Sequence, residues 1–463
     1  MDITAILQTI GEIVWGPPTW AILGLCGLYL SIRTGWFQVT KFGHYAGETL
    51  GKMFKKREDD GAGDITPFQA FTTAMSATMG VGNLIGTTTA ILTGGPGAVF
   101  WMWIIGFFGI TTKFAEITLA VHYRETNDKG MVLGGPMMYI QKGLGWKWLA
   151  IIFCIAGSLA AFGIGNLVQV NNVAGALDTA FGLNRQVSGA MVMILVGLVI
   201  IGGVKRIGKV AEKLIPFLAI AMILGCVIVA IQNFNLVGWA FSVIFRAAFS
   251  SEAYLGGIMG ASIAMAIRMG LARGIFSNEA GLGSAPIAHA AAKTDHPCRQ
   301  GFWGAIEVVL DTHVVCTVVA LAVLTSGAWN IEGLNATQVF MYAYSSSIFG
   351  PVVGNTIAAL AILGFGLTTM LGWAFYGEKC LEYLVGTKSN LFYRISFLPV
   401  LFIGSFGVVP VWAISDILNA FMAVPNIIGV IFLGGIFTAI TKSYFAGERY
   451  VPYDEDNNYY KGK

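Results

Sequence analysis

The chain has 463 residues, of which 56% are hydrophobic and only 11% are charged, and its mean hydropathy is +0.70. This composition is typical of an integral membrane protein and excludes an ordinary soluble domain. The net charge of +3 is small for this length, and no basic run is interleaved with aromatic residues, so nothing favours binding to nucleic acid.

Six cysteines are scattered, mostly in apolar stretches, and no two of them have CxxC spacing. We therefore expect small buried side chains rather than disulfides or metal ligands. The opening sequence MDITAILQTI lacks the basic region of a signal peptide, so we expect no cleaved targeting segment.

Apolar windows of about 20 residues, the length that crosses a bilayer, predict an all-α membrane protein with eleven transmembrane helices. The predicted segments are 14–32, 68–92, 98–121, 149–170, 187–203, 214–231, 255–291, 302–325, 352–376, 392–408 and 411–440. Two of them, 68–92 and 255–291, are interrupted by glycines.

The distribution of lysine and arginine supports this count independently of hydropathy. If the N-terminus lies outside the cell, 25 of the 28 Lys and Arg residues are counted with the inward loops and the C-terminal tail, including Arg268 and Arg273, which fall within the predicted segment 255–291. That asymmetry follows the positive-inside rule. The sequence therefore predicts a multi-pass cell-membrane protein with its N-terminus outside and its C-terminus in the cytoplasm.

The ten segments after the first divide into two sets of five with opposite orientation, separated by a polar connection at 232–251. Each set begins with a glycine-interrupted segment, which is the pattern of transporters with inverted repeats and a site near the bilayer midplane. We predict an extra helix and linker at 1–65, a first repeat at 66–234, a second at 235–441 and a tail at 442–463.

The interruption MGVGN, at 79–83, lies at membrane depth, where freed backbone groups are tolerated only next to a cavity, a ligand or an ion. The half-helix that begins near Val81 presents N–H groups suited to a carboxylate, and the half that ends near Met79 presents carbonyl oxygens suited to a cation. The alternative is that Gly80, Gly82 and Gly86 only let helices pack closely. Hydroxyl and amide side chains along the same segment favour a binding site.

A second group of oxygen atoms is predicted in the ninth segment. Thr368 and Thr369 lie side by side in FGLTTMLGW, and their hydroxyls are hard ligands of the kind that alkali cations need. The alternative is that both hydroxyls bond back to their own helical turn, as threonines in membrane helices usually do.

Amide and aromatic side chains supply further candidates. Gln169 is expected to reach a central ligand, whereas most of its amide neighbours are expected to cap the outward end of the fourth segment; the neighbours are Asn166, Asn171 and Asn172. Phe276 and Trp373 are either walls of a small pocket or packing aromatics.

Charged residues inside membrane segments are functional candidates by default. Glu307 and Asp311 lie four apart in the eighth segment and are the candidates for a proton site, which would be a competing mode of coupling. Lys113 and Glu116 lie three apart in the third segment, where a structural ion pair is the alternative to a functional role.

No enzyme motif is found in the sequence. Ser/His/Asp arrangements, HExxH, P-loop motifs and metal-ligand clusters are absent, so we expect neither an enzyme nor an ATP-driven pump. We also expect no cofactor and no obligate protein partner.

Several strings resemble the alanine or glycine:cation symporters of the amino acid, polyamine and organocation superfamily. They are TMGVGN (78–83), GGPGAVFWMW (94–103), GGPMMYI (134–140), AFGIGN (161–166), ARGIFSNEAGLGSAPIA (272–288), KTDHP (293–297) and LGWAFYGEKC (371–380), and they run along almost the whole chain. The resemblance implies a leucine-transporter-like 5+5 inverted repeat with one extra N-terminal helix. It also implies Na+-driven uptake of small neutral amino acids such as alanine and glycine.

The resemblance also implies roles for individual residues. Those placed at the substrate are Thr78, Gly80, Val81, Gly82, Asn83, Gln169, Met269, Phe276, Ser277, Asn278, Thr369 and Trp373. Those placed around Na+ are Ser76, Met79, Phe365, Thr368 and Thr369. Met269 stands where members of the family often carry an aromatic residue, and a flexible methionine leaves a roomier pocket. Serine or glutamine is therefore an alternative substrate, and coupling to protons is an alternative to Na+.

Overall fold

The computed structural model describes residues 9–11, 13–53, 61–250, 262–407, 411–454 and 460. These residues are mostly helical. The α-helices are α1 Pro17–Arg33, α2 Phe37–Thr40, α3 Phe42–Glu48, α4 Pro67–Thr78, α5 Thr87–Gly94, α6 Gly97–His122, α7 Pro136–Leu144, α8 Lys147–Phe162, α9 Val168–Phe181, α10 Arg185–Ile200, α11 Gly203–Gln232, α12 Phe234–Phe249, α13 Ile263–Asn278, α14 Ala285–Ala290, α15 Pro297–Val308, α16 Thr317–Thr325, α17 Ala336–Ser345, α18 Gly350–Val385, α19 Ser389–Gly404, α20 Val411–Phe432 and α21 Gly434–Phe445.

Shorter elements connect these helices. Three π-helical turns join α4 to α5, α8 to α9 and α15 to α16, and they are Gly82–Gly86, Gly163–Leu167 and Val309–Cys316. Two 3₁₀ turns are Leu50–Lys52 and Ala328–Asn330. An antiparallel ribbon pairs β1 (Glu125–Thr126) with β2 (Val132–Leu133).

Among the residues that the structure describes, six helical stretches are long and apolar enough to cross a membrane, which agrees with a multi-pass membrane protein. They are Gly97–His122, Lys147–Phe181, Gly203–Gln232, Pro297–Thr325, Gly350–Val385 and Ile414–Phe432. Each of the eleven predicted segments contains helix among the described residues. The count of eleven crossings, the inverted repeat and the orientation of the termini stay predictions.

The predicted polar connection at 232–251 is wrong in one respect, because Phe234–Phe249 within it forms the helix α12. Its buried residues recur at helical spacing on one face and are Ala240, Val243, Ile244 and Ala248. That face packs against α6 and α16. The polar residues at both ends of the segment concealed this amphipathic pattern.

Two helices make more contacts with other elements than any other helix in the bundle. The largest contacts of α6 are with α13 and α15, and it also contacts α1, α12 and α14. The helix α18 packs against α4, α8, α9, α11, α17 and α19. Because lipid is as apolar as the side chains, helices in a membrane associate through close packing and hydrogen bonds rather than through the hydrophobic effect.

The first predicted interruption is confirmed. Helix α4 ends at Thr78, residues 79 and 80 leave the helical path, and helical structure resumes at Val81. The start of α4 is fixed by a reciprocal capping box between Thr66 and Gln69. All residues from Ala70 to Gly86 are buried, so the break lies inside the protein.

The second predicted interruption is also confirmed, between the end of α13 at Asn278 and the start of α14 at Ala285. Glu279 takes a left-handed conformation (φ 57°), which is unusual for a residue with a side chain. Gly281 and Gly283 also have positive φ, at 92° and 78°. The predicted breakers Gly256 and Gly260 lie outside the described residues.

Two further glycines of the predicted series lie inside α13 and serve close packing. A Cβ atom on Gly270 would overlap the carbonyl oxygen of Ala98 and lie 2.6 Å from Cβ of Trp101. A Cβ atom on Gly274 would lie 2.5 Å from Cγ2 of Ile105. At these positions the close-packing interpretation applies, because α13 lies directly on the backbone of α6.

The segments that flank the two interruptions meet at one end of the bundle. Residues Ile65 and Ala292 form a parallel bridge, and the amides of Asp64 and Ile65 donate to the carbonyl of Ala291 at 2.8 and 3.2 Å. The amide of Lys293 donates to the carbonyl of Ile65 at 2.8 Å. The guanidinium of Arg124 donates to three further carbonyls at 2.6–2.8 Å, those of Ala62, Ala290 and Ala292.

We predict that Gly270→Ala destabilises the protein by about 1–3 kcal/mol, because the added methyl group forces α13 away from α6. The measurement is thermal unfolding of the purified protein in detergent. Gly24→Ala is the matched control in α1, where a Cβ atom would meet nothing within 4 Å, and it should be neutral or stabilising. Equal melting temperatures for the two variants would contradict the packing argument.

Candidate functional site

Helix α18 runs alongside the first interruption in the opposite chain direction. Three contacts show how α18 is aligned with the interruption, and each of them involves a glycine. Gly366 lies near Val81, Thr369 lies near Gly80, and Gly372 lies near Ser76. A Cβ atom on Gly80 would overlap Oγ1 of Thr369. The glycines therefore bring the Thr369 hydroxyl directly against the broken backbone.

The two threonines of α18 have different surroundings. The Thr368 hydroxyl donates to the carbonyls of Phe365 and Gly364 at 3.0 and 3.2 Å, as expected for a threonine bonded to its own turn. Thr369 is 1% exposed, and its Oγ1 has no hydrogen-bond partner among the described residues. A buried hydroxyl without a partner is costly, so Thr369 is the stronger of the two predicted ligands.

The interruption frees carbonyl oxygens at the end of α4. The amide of Gly80 donates to Oδ1 of Asn83 at 3.0 Å, and the amide of Val81 donates to Oε1 of Gln169 at 3.4 Å. In a continuous helix these amides would bond to the carbonyls four residues earlier, those of Ser76 and Ala77. Both carbonyls thus lose their helical donors at the negative end of α4.

The residues predicted around Na+ are all buried and lie on the two elements that meet here, the end of α4 and the middle of α18. They are Ser76, Met79, Phe365, Thr368 and Thr369. The Ser76 hydroxyl is used locally, because it donates to the carbonyl of Thr73 at 2.6 Å. The available oxygen of Ser76 is therefore its carbonyl, as the sequence predicts.

Asn83 connects the interruption to a buried acid. Its Nδ2 donates to Oδ1 of Asp311 at 2.6 Å and to Oγ of Ser277 at 2.9 Å. The other carboxylate oxygen of Asp311 accepts from the hydroxyls of Ser277 (2.6 Å) and Thr312 (3.0 Å). Asp311 is fully buried, and its hydrogen-bond partners are all neutral.

The predicted ion pair between Lys113 and Glu116 is wrong. Lys113 Nζ lies 3.0 Å from Oε1 of Glu307 and donates to the carbonyl of Asn278 at 2.6 Å. Glu116 accepts a hydrogen bond from Asn426 instead. The tertiary partners prevail because they offer Lys113 both a carboxylate and the negative C-terminal end of α13.

Glu307 joins three helices around this lysine. Besides Lys113, its carboxylate accepts from the hydroxyl of Thr78, at the end of α4, and contacts Nε2 of His289 in α14, both at 3.1 Å. Nδ1 of His289 is in turn 2.7 Å from Nε2 of Gln300. Glu307 is thus committed to a structural network, and Asp311 is the better candidate for a proton site.

Two predicted pocket residues reach the interruption. Gln169 accepts from the Val81 amide, as described above, so this amide is already engaged by the protein. The ring of Phe276 lies against Gly82, where a Cβ atom would be 3.0 Å from Cδ1 of the ring. Asn278 accepts from the amide of Ala280 at 2.9 Å and so fixes the backbone at the second interruption.

Two other predicted residues lie further away. Trp373 packs against Gly165 in the π-helical turn that precedes Gln169. Met269 packs against Gly94 and a small cluster that comprises Ala90, Ala98, Met102 and Cys316. Cys316 of this cluster is 3.2 Å from the hydroxyl of Ser277, and Ser277 in turn contacts Asn83 of the interruption. Met269 therefore lies one layer behind the interruption.

A cavity of about 530 Å³ lies beside the helical segment that follows the first interruption. Its lining includes Ile85, Thr89, Asn171, Asn172, Arg185 and Arg273. The Arg273 guanidinium lies 5.4 Å over the Phe276 ring and pairs with Asp416 at 3.1 Å. Sequence reasoning missed this pair, because its members are 143 residues apart and no local pattern connects them.

Comparisons with known proteins agree with this picture. The model of the sodium:alanine symporter family matches residues 1–456. The sodium/alanine symporter AgcS of Methanococcus maripaludis is 43% identical over 451 residues, which cover 96% of this chain and 98% of AgcS. The probable sodium/glutamine symporter GlnT of Bacillus subtilis is 35% identical over 445 residues, which cover 95% and 90%.

A solved structure shows the same fold. The crystal structure of MhsT in complex with L-phenylalanine superposes with a TM-score of 0.55 over 83% of this chain and 90% of MhsT, at 15% sequence identity. This similarity agrees with the leucine-transporter-like architecture expected from the sequence.

We predict that Lys113→Met lowers the free energy of unfolding by about 3–5 kcal/mol, because it leaves the buried Glu307 carboxylate without its cation. Thermal unfolding in detergent measures the loss. The double variant Lys113→Met/Glu307→Gln should recover part of it, since no buried charge is then uncompensated.

The matched control is Lys142→Met, which removes the lysine of a partly exposed pair with Glu125 and should change stability by less than about 1 kcal/mol. If Lys113→Met lowers the free energy of unfolding as little as Lys142→Met does, the buried pair has no central role in stability.

Proposed function

We propose a function from one premise: the chain belongs to the sodium:alanine symporter family. The function is secondary transport of a small neutral amino acid, alanine or glycine, into the cell together with Na+ by alternating access. The observation that carries it is the Thr369 hydroxyl, which has no hydrogen-bond partner among the described residues and lies against the broken end of α4. Broken helices that face a central site are a recurrent device of such transporters.

In this proposal Na+ lies between the end of α4 and the middle of α18. The freed Ser76 carbonyl and the Thr369 hydroxyl are its first two ligands. Oxygen atoms of Met79, Phe365 and Thr368 complete the set. The negative end of the α4 dipole adds favourable electrostatics for a cation.

The amino acid carboxylate meets the backbone amides of Val81, Gly82 and Asn83 at the start of the next helical segment. The Val81 amide exchanges Gln169 for the substrate, and its 3.4 Å hydrogen bond is long enough to be replaced readily. The remaining residues proposed to line the substrate site are Thr78, Gly80, Gln169, Phe276, Ser277, Asn278 and Thr369, with Met269 and Trp373 packed behind them.

Phe276 limits the size of the substrate, because its ring packs on Gly82 beside the proposed carboxylate position. That arrangement favours alanine and glycine. Serine or glutamine is the alternative, supported by the methionine at position 269 and by the name of the relative GlnT.

The architecture proposed with this function has eleven transmembrane helices, one of them additional to two inverted repeats of five. The positive-inside pattern supports an outside N-terminus and a cytoplasmic C-terminus. The junction of Ile65 with Ala292 then lies on the cytoplasmic side, and the cavity beside Arg273 lies on the outer side.

We predict that an inward Na+ gradient drives concentrative alanine uptake into proteoliposomes, and that Thr369→Ala raises the Na+ concentration for half-maximal uptake by roughly tenfold. The loss of one oxygen ligand is the physical reason. Thr356→Ala on the same helix is the control, since that hydroxyl is exposed and bonds to its own turn. If the rate of alanine uptake does not depend on the Na+ gradient, the proposed coupling is wrong. If Thr369→Ala leaves the Na+ concentration for half-maximal uptake unchanged, Thr369 is not part of the Na+ site.

Proton coupling through Asp311 is the second candidate, favoured by the burial of this carboxylate among neutral partners. It predicts uptake driven by a pH gradient without Na+ and abolished by Asp311→Asn, a substitution that keeps the shape of the side chain. If the pH gradient alone drives no uptake, this candidate is eliminated.

A further inference from the structure

A second cavity, of about 420 Å³, lies where the C-terminal end of α18 meets three turns of the chain. Its walls come from the turn of the β-ribbon, the turn between α10 and α11, α18 itself and the turn between α18 and α19. Five basic residues line it, together with the single acid Glu378, and they are Lys129, Lys205, Lys379, Lys388 and Arg394.

Two of the five basic residues are neutralised by acids. Arg394 makes two hydrogen bonds of 2.6 Å to the carboxylate of Glu378, and Lys379 pairs with Glu382 at 2.9 Å. The other three form no ion pair with any described carboxylate, and all are exposed: Lys129, Lys205 and Lys388. The cavity therefore carries an uncompensated positive charge.

One acid near the cavity does not remove this surplus. The carboxylate of Asp128 accepts from the hydroxyl of Thr387 at 3.2 Å, and Asp128 does not belong to the lining. The ammonium of Lys129 donates to the Thr387 carbonyl at 3.2 Å, which holds this lysine over the cavity. Three lysines against one neighbouring acid still leave the cavity positive.

The back wall of the cavity is held together by hydrogen bonds and close contacts. The Arg394 guanidinium also donates to the carbonyl of Ile201 at 3.0 Å, so it joins the α10–α11 turn to α18. Gly203 has a φ of 70°, and a Cβ atom there would lie 2.9 Å from Nη2 of Arg394. The Glu382 carboxylate accepts from Asn390 at 2.8 Å. These contacts fix the positions of the side chains that form the back wall.

Apolar side chains beside the cavity face outward. Leu391 lines the cavity and is 55% exposed, and its neighbour Phe392 is 71% exposed. Ile201 and Ile395 are each 54% exposed. In a membrane protein such side chains contact the acyl chains of lipid. The basic cavity therefore adjoins a lipid-facing surface.

We propose that this cavity binds a phosphate group, supplied by the head group of an anionic phospholipid. Lysine is a common ligand of phosphate, and basic pockets between transmembrane helices on the cytoplasmic side suit anionic head groups. The lipid chains then lie on Leu391 and its apolar neighbours. Inorganic phosphate has the same charge chemistry but makes no use of that apolar surface.

The test measures lipid binding to the purified full-length chain by native mass spectrometry in detergent. Dioleoyl phosphatidylglycerol is titrated against dioleoyl phosphatidylcholine, and inorganic phosphate is added as a competitor. We expect phosphatidylglycerol to bind at least tenfold more tightly than phosphatidylcholine. The variant Lys129→Gln/Lys205→Gln/Lys388→Gln should weaken phosphatidylglycerol binding by roughly fivefold per lysine.

The matched control carries the same change of charge outside the cavity, as Lys213→Gln/Lys293→Gln/Lys442→Gln, and should bind the lipid like the wild type. All three cavity lysines are exposed, so the variant should fold, which thermal unfolding verifies. If millimolar phosphate displaces the lipid, the cavity accepts phosphate from a soluble source as well as from a lipid. If phosphate binds and the lipid does not, the cavity is a phosphate site whose source is soluble, and the lipid proposal is wrong. Undiminished lipid binding in the cavity variant, or an equal loss in the control, would overturn the proposal.

Discussion

The structure depends on one buried ion pair. Lys113 and Glu307 are both fully buried, 3.0 Å apart, in a region where an uncompensated charge would cost several kcal/mol. Their remaining hydrogen-bonding capacity is directed to the Asn278 carbonyl, the Thr78 hydroxyl and His289. The pair therefore fixes the ends of α4 and α13 and the position of α14 relative to α6 and α15. Both interruptions are held in place by the same two charges.

Close packing at glycine residues brings α18 against the first interruption. Where Gly80 faces Thr369 and Gly372 faces Ser76, a β-carbon on either glycine would occupy space that the neighbouring helix already fills. The absence of side chains lets α18 deliver a hydroxyl to backbone atoms that have lost their helical partners. Glycine thus acts twice at the first interruption, since it weakens the helix and also admits the group that faces the break.

Features with a local signal could be predicted from the sequence. Glycines at membrane depth predict the interruptions at 79–83 and after Asn278, and side-by-side hydroxyls predict that Thr368 and Thr369 matter. Spacing could not show that Thr368 bonds to its own turn while Thr369 does not, because that difference depends on how each side chain lies against α4. Helical spacing also favoured Glu116 as the partner of Lys113. The true partner is 194 residues away, and only the fold brings it near.

The junction between Ile65 and Ala292 ties the start of α4 to the end of α14 through several hydrogen bonds at once. Three backbone hydrogen bonds hold the two strands of chain together, and Arg124 adds three more from a third direction. The loss of one hydrogen bond would not separate the two segments, because the remaining hydrogen bonds hold the same stretches of backbone together. Separation of α4 from α14 at this end therefore requires all of these hydrogen bonds to break, not only one of them.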